Sequence, residues 1–147
     1  MRATLRTWVP QGLAHELDHA KRILDGPGYR STFGQAIITE GLADAFSVQA
    51  FPATPAPPWT QALSPDELSR LTNLAIMSSD TVDSPNVHGQ WFFGTTAAAS
   101  DGVGRIPHWA GYTIGASIVG RYLQDHPDNT PANLTVAPAE LLLASAA

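Results

Sequence analysis

The chain has 147 residues, of which 44% are hydrophobic and 14% are charged, and this size and apolar content are those of one ordinary globular domain. A net charge of -5, with eight Lys and Arg scattered along the chain and no long apolar run, disfavours nucleic acid and membranes as partners and makes a cytoplasmic location the expectation. Because the chain has no Cys, disulfides, thiol catalysis and Cys-ligated zinc are excluded, so any metal site must use histidine and carboxylate ligands.

Two helices are predicted in the first third of the chain. The first begins near Pro10, since proline fits the first turn of a helix, and it continues until Gly26-Pro27-Gly28 ends it. Ser31 or Thr32 can cap the second helix, which ends before Pro52. These two helices would form the core of a metal site, because they carry the candidate ligands described below.

The rest of the chain is predicted to be helical around two irregular segments. An extended connector is expected from Phe51 to Ala62, and a third helix follows Ser64-Pro65-Asp66-Glu67, which has the pattern of a capping box. The segment from Ser78 to Pro107 is predicted to be a long loop with a short strand or turn, followed by a fourth helix that ends at Asp125. A last short helix is expected from Pro138. The predicted fold is therefore mainly α, with about four to five helices and little or no β-sheet.

The segment His15-Glu16-Leu17-Asp18-His19 has the pattern HExxH and lies in the interior of the first predicted helix. Residues four apart lie on one helix face about one turn apart, so both imidazoles can bind a single ion. A catalytic zinc uses three protein ligands and keeps one position open for water. Glu40, 21 residues beyond His19 on the second predicted helix, is the candidate third ligand, because an antiparallel pair of helices would bring it to the histidines.

Two further carboxylates have roles that the same spacing predicts. Asp44 follows Glu40 by one helical turn, so it can accept the free ring N–H of a liganding histidine, and we assign this role to the His15 ring. Glu16 is adjacent to a ligand but rotated off the chelating face. There it can act as a general base towards the attacking water and later pass the proton to the leaving amine. This set of residues predicts amide hydrolysis without a covalent intermediate.

At these residues the chain resembles the gluzincin metallopeptidases, whose pattern is HExxH followed by Glu-x-x-x-Asp on a later helix. A second resemblance, to the bacterial predicted Zn-dependent proteases known as the domain of unknown function 2268, is carried by the strings LAHELDHAKR, TEGLADAF, PPWTQALSPDEL, WFFG and IPHWAGYTIGASIVGRYL. This second resemblance covers nearly the whole chain. It implies a single metallopeptidase-like domain over residues 1–147, Zn2+ as cofactor and a peptide or protein as substrate.

One departure from these families concerns the start of the chain. Their members usually carry a β-rich segment before the HExxH helix, whose edge strand is expected to bind the extended substrate, whereas only nine residues precede Pro10 here. The departure leaves open a shortened gene model, a natural minimal peptidase, or a remnant that binds metal without efficient turnover.

A zinc peptidase also needs a hydrogen-bond donor for the developing oxyanion. Tyr112 is the first candidate, because its string PHWAGY matches the family and lies at a helix start; a buried Tyr with a bonded hydroxyl is the alternative. His108 is the second catalytic candidate, with an exposed surface position as its alternative. The remaining candidates are His88, Tyr29 and Arg105. The aromatic residues Trp59 and Trp91-Phe92-Phe93 are expected in the core or as loop anchors rather than in a specificity pocket.

Three functions remain compatible with the sequence. The leading one is a peptidase with a mononuclear zinc. The others are a catalytically silent zinc-binding interaction module, in which the metal only joins two helices, and a zinc hydrolase of a small non-peptide amide. A His-His-Glu site also accepts manganese, cobalt or nickel, because affinity alone does not select zinc.

Overall fold

The computed structural model describes residues 2–28, 31–95 and 104–146. In these residues the chain forms seven α-helices and one short 3-10 helix, with no β-strand beyond an isolated bridge between Thr32 and Val82, which confirms the prediction of a mainly α fold. The elements are α1 (Arg2–Asp25), α2 (Phe33–Ala50), a 3-10 helix (Pro58–Gln61), α3 (Pro65–Met77), α4 (Pro85–Phe93), α5 (Ala110–Asp125), α6 (Pro131–Leu134) and α7 (Ala139–Ala144).

Helix α2 is the central element, and it is surrounded by α1, α5, α6 and α7. Its apolar residues Ile37, Ile38 and Leu42 are fully buried, as expected of a helix with neighbours on most sides. Close contact between α2 and α5 depends on two glycines. A Cβ at Gly41 would overlap the backbone of Gly115, and a Cβ at Gly115 would overlap the carbonyl oxygen of Ile37. The two backbones therefore touch beside the position of the third candidate ligand.

Local signals account for most helix starts. The Thr32 hydroxyl accepts a hydrogen bond from the Gln35 backbone at the start of α2, and Ser64 and Glu67 form the predicted capping box of α3. The last predicted helix is confirmed as α7, with Pro138 as its N-cap.

Several elements differ from the prediction, and one of them is the connector expected to be extended from Phe51 to Ala62, which contains the 3-10 helix Pro58–Gln61. Helix α1 begins at Arg2 and contains Pro10 in its interior, so the proline removes one backbone donor without ending the helix. The predicted loop from Ser78 to Pro107 is wrong for residues 85–93, which form α4, and α6 was not predicted. Both helices begin with a capping residue followed by proline, Ser84-Pro85 and Thr130-Pro131, so the signal that identifies α3 is present in all three.

Helix α1 packs on α2 through polar side chains. The apolar residues that mark α1 in the sequence lie on its outer face, where Leu13, Leu17 and Leu24 are all more than half exposed. On its inner face, Arg22 is fully buried and donates hydrogen bonds to the Thr39 hydroxyl of α2 and to the Thr135 and Ala137 carbonyls. Although α1 is long, no helix in the described part of the chain is apolar enough to cross a membrane.

Candidate metal centre

Three ligand atoms from α1 and α2 surround one point. The Nε2 atoms of His15 and His19 lie 3.0 Å apart, and the Glu40 Oε2 atom lies 3.3 Å from the first and 3.4 Å from the second. A tetrahedral zinc bonded at about 2.0–2.1 Å separates neighbouring ligand atoms by about 3.3–3.4 Å. The three side chains are therefore close enough to hold one metal ion, as the HExxH spacing and the assignment of the third ligand predict.

Asp44 occupies the position predicted for a residue that orients a ligand. Its Oδ1 atom lies 3.0 Å from His15 Nδ1, which leaves the Nε2 atom of that ring free to face the other ligands. The same carboxylate accepts the indole N–H of Trp59, at 3.0 Å to Oδ1 and 3.1 Å to Oδ2. Asp44 is only 1% exposed, so these two partners, rather than water, satisfy the carboxylate.

The electrostatics of the centre favour a cation. Burial by itself lowers the pKa of His15, but its hydrogen bonds to Asp44 and Glu40 and the charges of both carboxylates outweigh burial and raise it from 6.5 to about 10. A histidine ligand must be neutral, so a metal ion that binds here replaces this proton. Two buried carboxylates beside two imidazoles thus form a donor set that fits a divalent metal such as zinc.

Glu16 lies beside the ligands but not among them. It is exposed on α1 and lines a cleft next to His15, with a volume of about 310 Å³. In the helix Glu16 is rotated by one residue from the chelating face. Its role as general base stays a prediction.

The candidate oxyanion donors are spread over different environments. Tyr112 is half-buried and lines the same cleft as Glu16, whereas His108 is exposed and is not among the residues that line it. His88 stacks on Phe92 with ring centroids 4.3 Å apart and lies 3.3 Å from an Asp83 oxygen, and Arg105 is exposed. Tyr29 lies outside the described residues. The roles of Tyr112 and His108 stay predictions.

The sequence analysis did not identify several residues that lie at the centre. Trp59 and Phe93, expected in the core or as loop anchors, both line the cleft; Trp59 donates to the Asp44 carboxylate, and Phe93 is 61% exposed. Trp91 and Phe92 are buried as expected. Gln11, buried with 2% exposed, also lines the cleft. Its position four residues before His15 places it on the metal-facing side of α1, a signal that the sequence contains.

Comparison with known proteins identifies a family. A family model described as a predicted Zn-dependent protease, the domain of unknown function 2268, matches residues 3–144. This range includes the three candidate ligands, the general-base candidate and both partners in the Asp44–Trp59 hydrogen bond. No curated protein and no solved structure matches the chain.

Proposed function

Because the chain belongs to the family of predicted Zn-dependent proteases that matches residues 3–144, we propose that it is a zinc metallopeptidase that hydrolyses peptide bonds. In this proposal residues 1–147 form one metallopeptidase-like domain, and its ligands are His15, His19 and Glu40. The observation that carries the proposal is the spacing of their three ligand atoms, 3.0 to 3.4 Å apart, at the edge of a cleft.

Each residue of the centre has a proposed role in the reaction. A zinc ion at this position supplies a Lewis acid for the scissile carbonyl and makes water more acidic. Glu16 takes the proton from the attacking water and delivers it to the leaving amine, so no covalent bond to the chain is needed. Asp44 keeps His15 in the tautomer whose Nε2 faces the metal, and Tyr112 is placed in the cleft wall where its hydroxyl can donate to the oxyanion.

The direct test measures metal content and hydrolysis together. Purified protein is analysed for zinc, manganese, cobalt and nickel, and cleavage of a mixed fluorogenic peptide library is followed before chelation, after chelation and after zinc is restored. We expect zinc-dependent cleavage. Activity that is indifferent to chelation would contradict the proposal.

A substitution separates the general base from the metal ligands. Glu16→Gln should retain the metal while kcat falls by roughly 100-fold or more, because a positioned general acid–base contributes about 10²–10⁴-fold. Glu140→Gln, the same change at an exposed position on α7, is the matched control and should leave cleavage unchanged. If Glu16→Gln keeps full activity, the assigned base is wrong. Stoichiometric zinc without cleavage of any substrate would instead support a silent module in which the metal joins α1 to α2.

The cleft volume favours a second candidate, the hydrolysis of a small amide. At about 310 Å³ the cleft lies at the lower end of the roughly 300–1,000 Å³ range of small-molecule sites. Substrates of one common sequence that increase from an N-acylated amino acid amide to an octapeptide distinguish the two candidates. A kcat/KM that rises with length supports a peptidase, and one that falls with length supports the small-amide hydrolase.

A further inference from the structure

The cleft beside the metal centre is rich in aromatic side chains. Of the described residues that line it, five are aromatic, and each belongs to a different element or connection: Trp8, Trp59, Phe93, Trp109 and Tyr112. Because three of the four Trp residues of the chain meet here, this surface differs from the composition of the protein as a whole. Aromatic side chains that are partly buried around a concave site are typical of a ligand pocket.

Trp59 connects these rings into one wall. Its ring centroid lies 6.5 Å from that of Trp8, 6.4 Å from that of Trp109 and 6.4 Å from that of Tyr112. The three pairs are inclined at 40°, 65° and 58°, and these distances and angles lie within the range of tilted and edge-to-face aromatic pairs. The indole N–H of Trp59 is already bonded to Asp44, which fixes the orientation of the central ring.

The charged residues that line the cleft limit which kind of side chain can bind there. The ionisable groups among the described lining residues are His15, Glu16 and Asp44, which the metal centre already employs, together with the Tyr112 phenol. No Lys or Arg occurs in that described lining, so an acidic side chain would find no lysine or arginine there to pair with. An uncharged, planar side chain matches these walls.

Gln11 adds a polar feature to this apolar site. Only 2% of the residue is exposed, and neither the Nε2 nor the Oε1 atom of its amide has a hydrogen-bond partner. A buried amide without partners is costly, so such a group is expected to pair when a ligand binds. A peptide group offers one N–H and one C=O, which complement the free acceptor and donor of the Gln11 side chain.

Trp109 shows backbone strain at the same place. Its φ of 67° lies in the left-handed region, and it is the only described non-glycine residue with a positive φ. A bulky residue is unfavourable in this conformation, and strain of this kind clusters at ligand sites. The fold accepts this strained backbone at a residue whose indole ring lines the cleft, which supports a role of Trp109 in ligand binding.

We propose that this cleft binds an aromatic residue of the substrate next to the scissile bond, and that the Gln11 amide hydrogen bonds the peptide group of that residue. The assignment of the scissile bond rests on the proposed peptidase function, since the cleft adjoins the metal ligands. Binding itself does not require turnover, so the two proposals can fail separately.

The test uses N-acetyl amino acid hydroxamates, which share one metal-binding group and differ only in the side chain. Calorimetry with the zinc-loaded protein compares Phe, Leu, Lys, Asp and Ala derivatives. We expect the Phe derivative to bind roughly 10- to 100-fold more tightly than the Ala derivative, the ratio that burial of a large apolar side chain gives. Tightest binding of the Lys or Asp derivative, equal affinity for all, or no binding would overturn the proposal. Phe preference without peptide cleavage would reject only the peptidase function.

A cleft-filling variant tests the location. Gly12 lines the cleft, and a Cβ at this position meets no atom within 4 Å, so Gly12→Phe places a ring in the cleft without displacing the α1 backbone. We expect this variant to keep its zinc and to lose the Phe preference at least roughly tenfold. Gly120→Phe makes the same change at an open helical position of α5 outside this cleft and serves as the control. An unchanged preference in Gly12→Phe would contradict the site.

A second variant separates ligand binding from a structural role of Gln11. Gln11→Met removes the unpaired amide and keeps a side chain of similar length. If the amide serves a ligand, the variant has a higher Tm than the parent protein but binds the Phe hydroxamate roughly tenfold more weakly. If the amide is structural, Tm falls and affinity is unaffected, which would contradict its proposed role.

Discussion

Replacement of Trp59 by Phe tests how the Asp44 carboxylate supports the candidate metal centre. The change keeps an aromatic ring in the cleft wall but removes the indole N–H that Asp44 accepts at 3.0 and 3.1 Å. Asp44 is 1% exposed, so water cannot readily replace the lost donor. Without the Trp59 donor, the Asp44 carboxylate depends more strongly on its hydrogen bond to protonated His15. Zinc must displace the proton of that histidine in order to bind.

The magnitude follows from the type of hydrogen bond. A bond to a buried charged group contributes about 1.5–3 kcal/mol, so we expect the free energy of unfolding of the metal-free protein to fall by roughly that amount. Loss of a residue that directly orients a ligand lowers metal affinity about 10- to 100-fold. Because Trp59 acts through Asp44, the expected loss of zinc affinity is smaller, roughly three- to tenfold.

Two measurements test this prediction. Urea denaturation of the metal-free protein gives the change in stability, and competition with a chromophoric chelator gives the zinc dissociation constant. Trp109→Phe is the matched control, because it makes the same change in the same cleft without removing a donor to Asp44. If Trp59→Phe binds zinc as tightly as the parent protein, the proposed coupling through Asp44 is refuted.

Three further predictions concern the packing and charge of the same helices. Gly41→Ala should destabilise the fold by about 3 kcal/mol or more, measured by urea denaturation, because its Cβ overlaps the α5 backbone, which cannot give way like a side chain. Arg22→Met should cost about 3–5 kcal/mol in the same assay, since it leaves buried carbonyls and the Asp18 carboxylate without their cationic neighbour; a loss below 1 kcal/mol would refute this. Because the folded pKa of His15 is about 10 against 6.5 when unfolded, protonation stabilises the metal-free protein fully below about pH 6.5, and that contribution is lost as the pH rises towards 10. A pH series of denaturation curves tests this, and His15→Gln should remove the dependence.

Part of the metal centre is local, and that part could be predicted from the sequence. The two histidines lie four residues apart on α1, and the glutamate and aspartate lie four residues apart on α2, so helical geometry alone places each pair on one face. The capping box at Ser64 is equally local. Such patterns depend only on neighbours along the chain, which is why they can be read without the fold.

The orientation of α1 could not be predicted from local patterns. Its apolar residues suggest a buried face, yet Leu13 and Leu17 are exposed, while Gln11, His19 and Arg22 are buried. The metal ligands and the hydrogen bonds of Arg22 favour the polar face, because each buried polar group there needs its partner. Those partners include Thr39 and the Thr135 carbonyl, which lie far along the chain and have no periodic signature.

The sequence by itself determined the helical class, and it was sufficient to nominate the candidate metal ligands and the two carboxylates proposed to assist them, since these follow from spacing within single helices. Only the tertiary structure decided that Trp59 bonds Asp44, that Gln11 is buried without a partner, and that aromatic rings from separate elements form one cleft. The physical reason is that each of these contacts joins residues brought together by the packing of helices, and packing depends on the whole chain rather than on any local pattern.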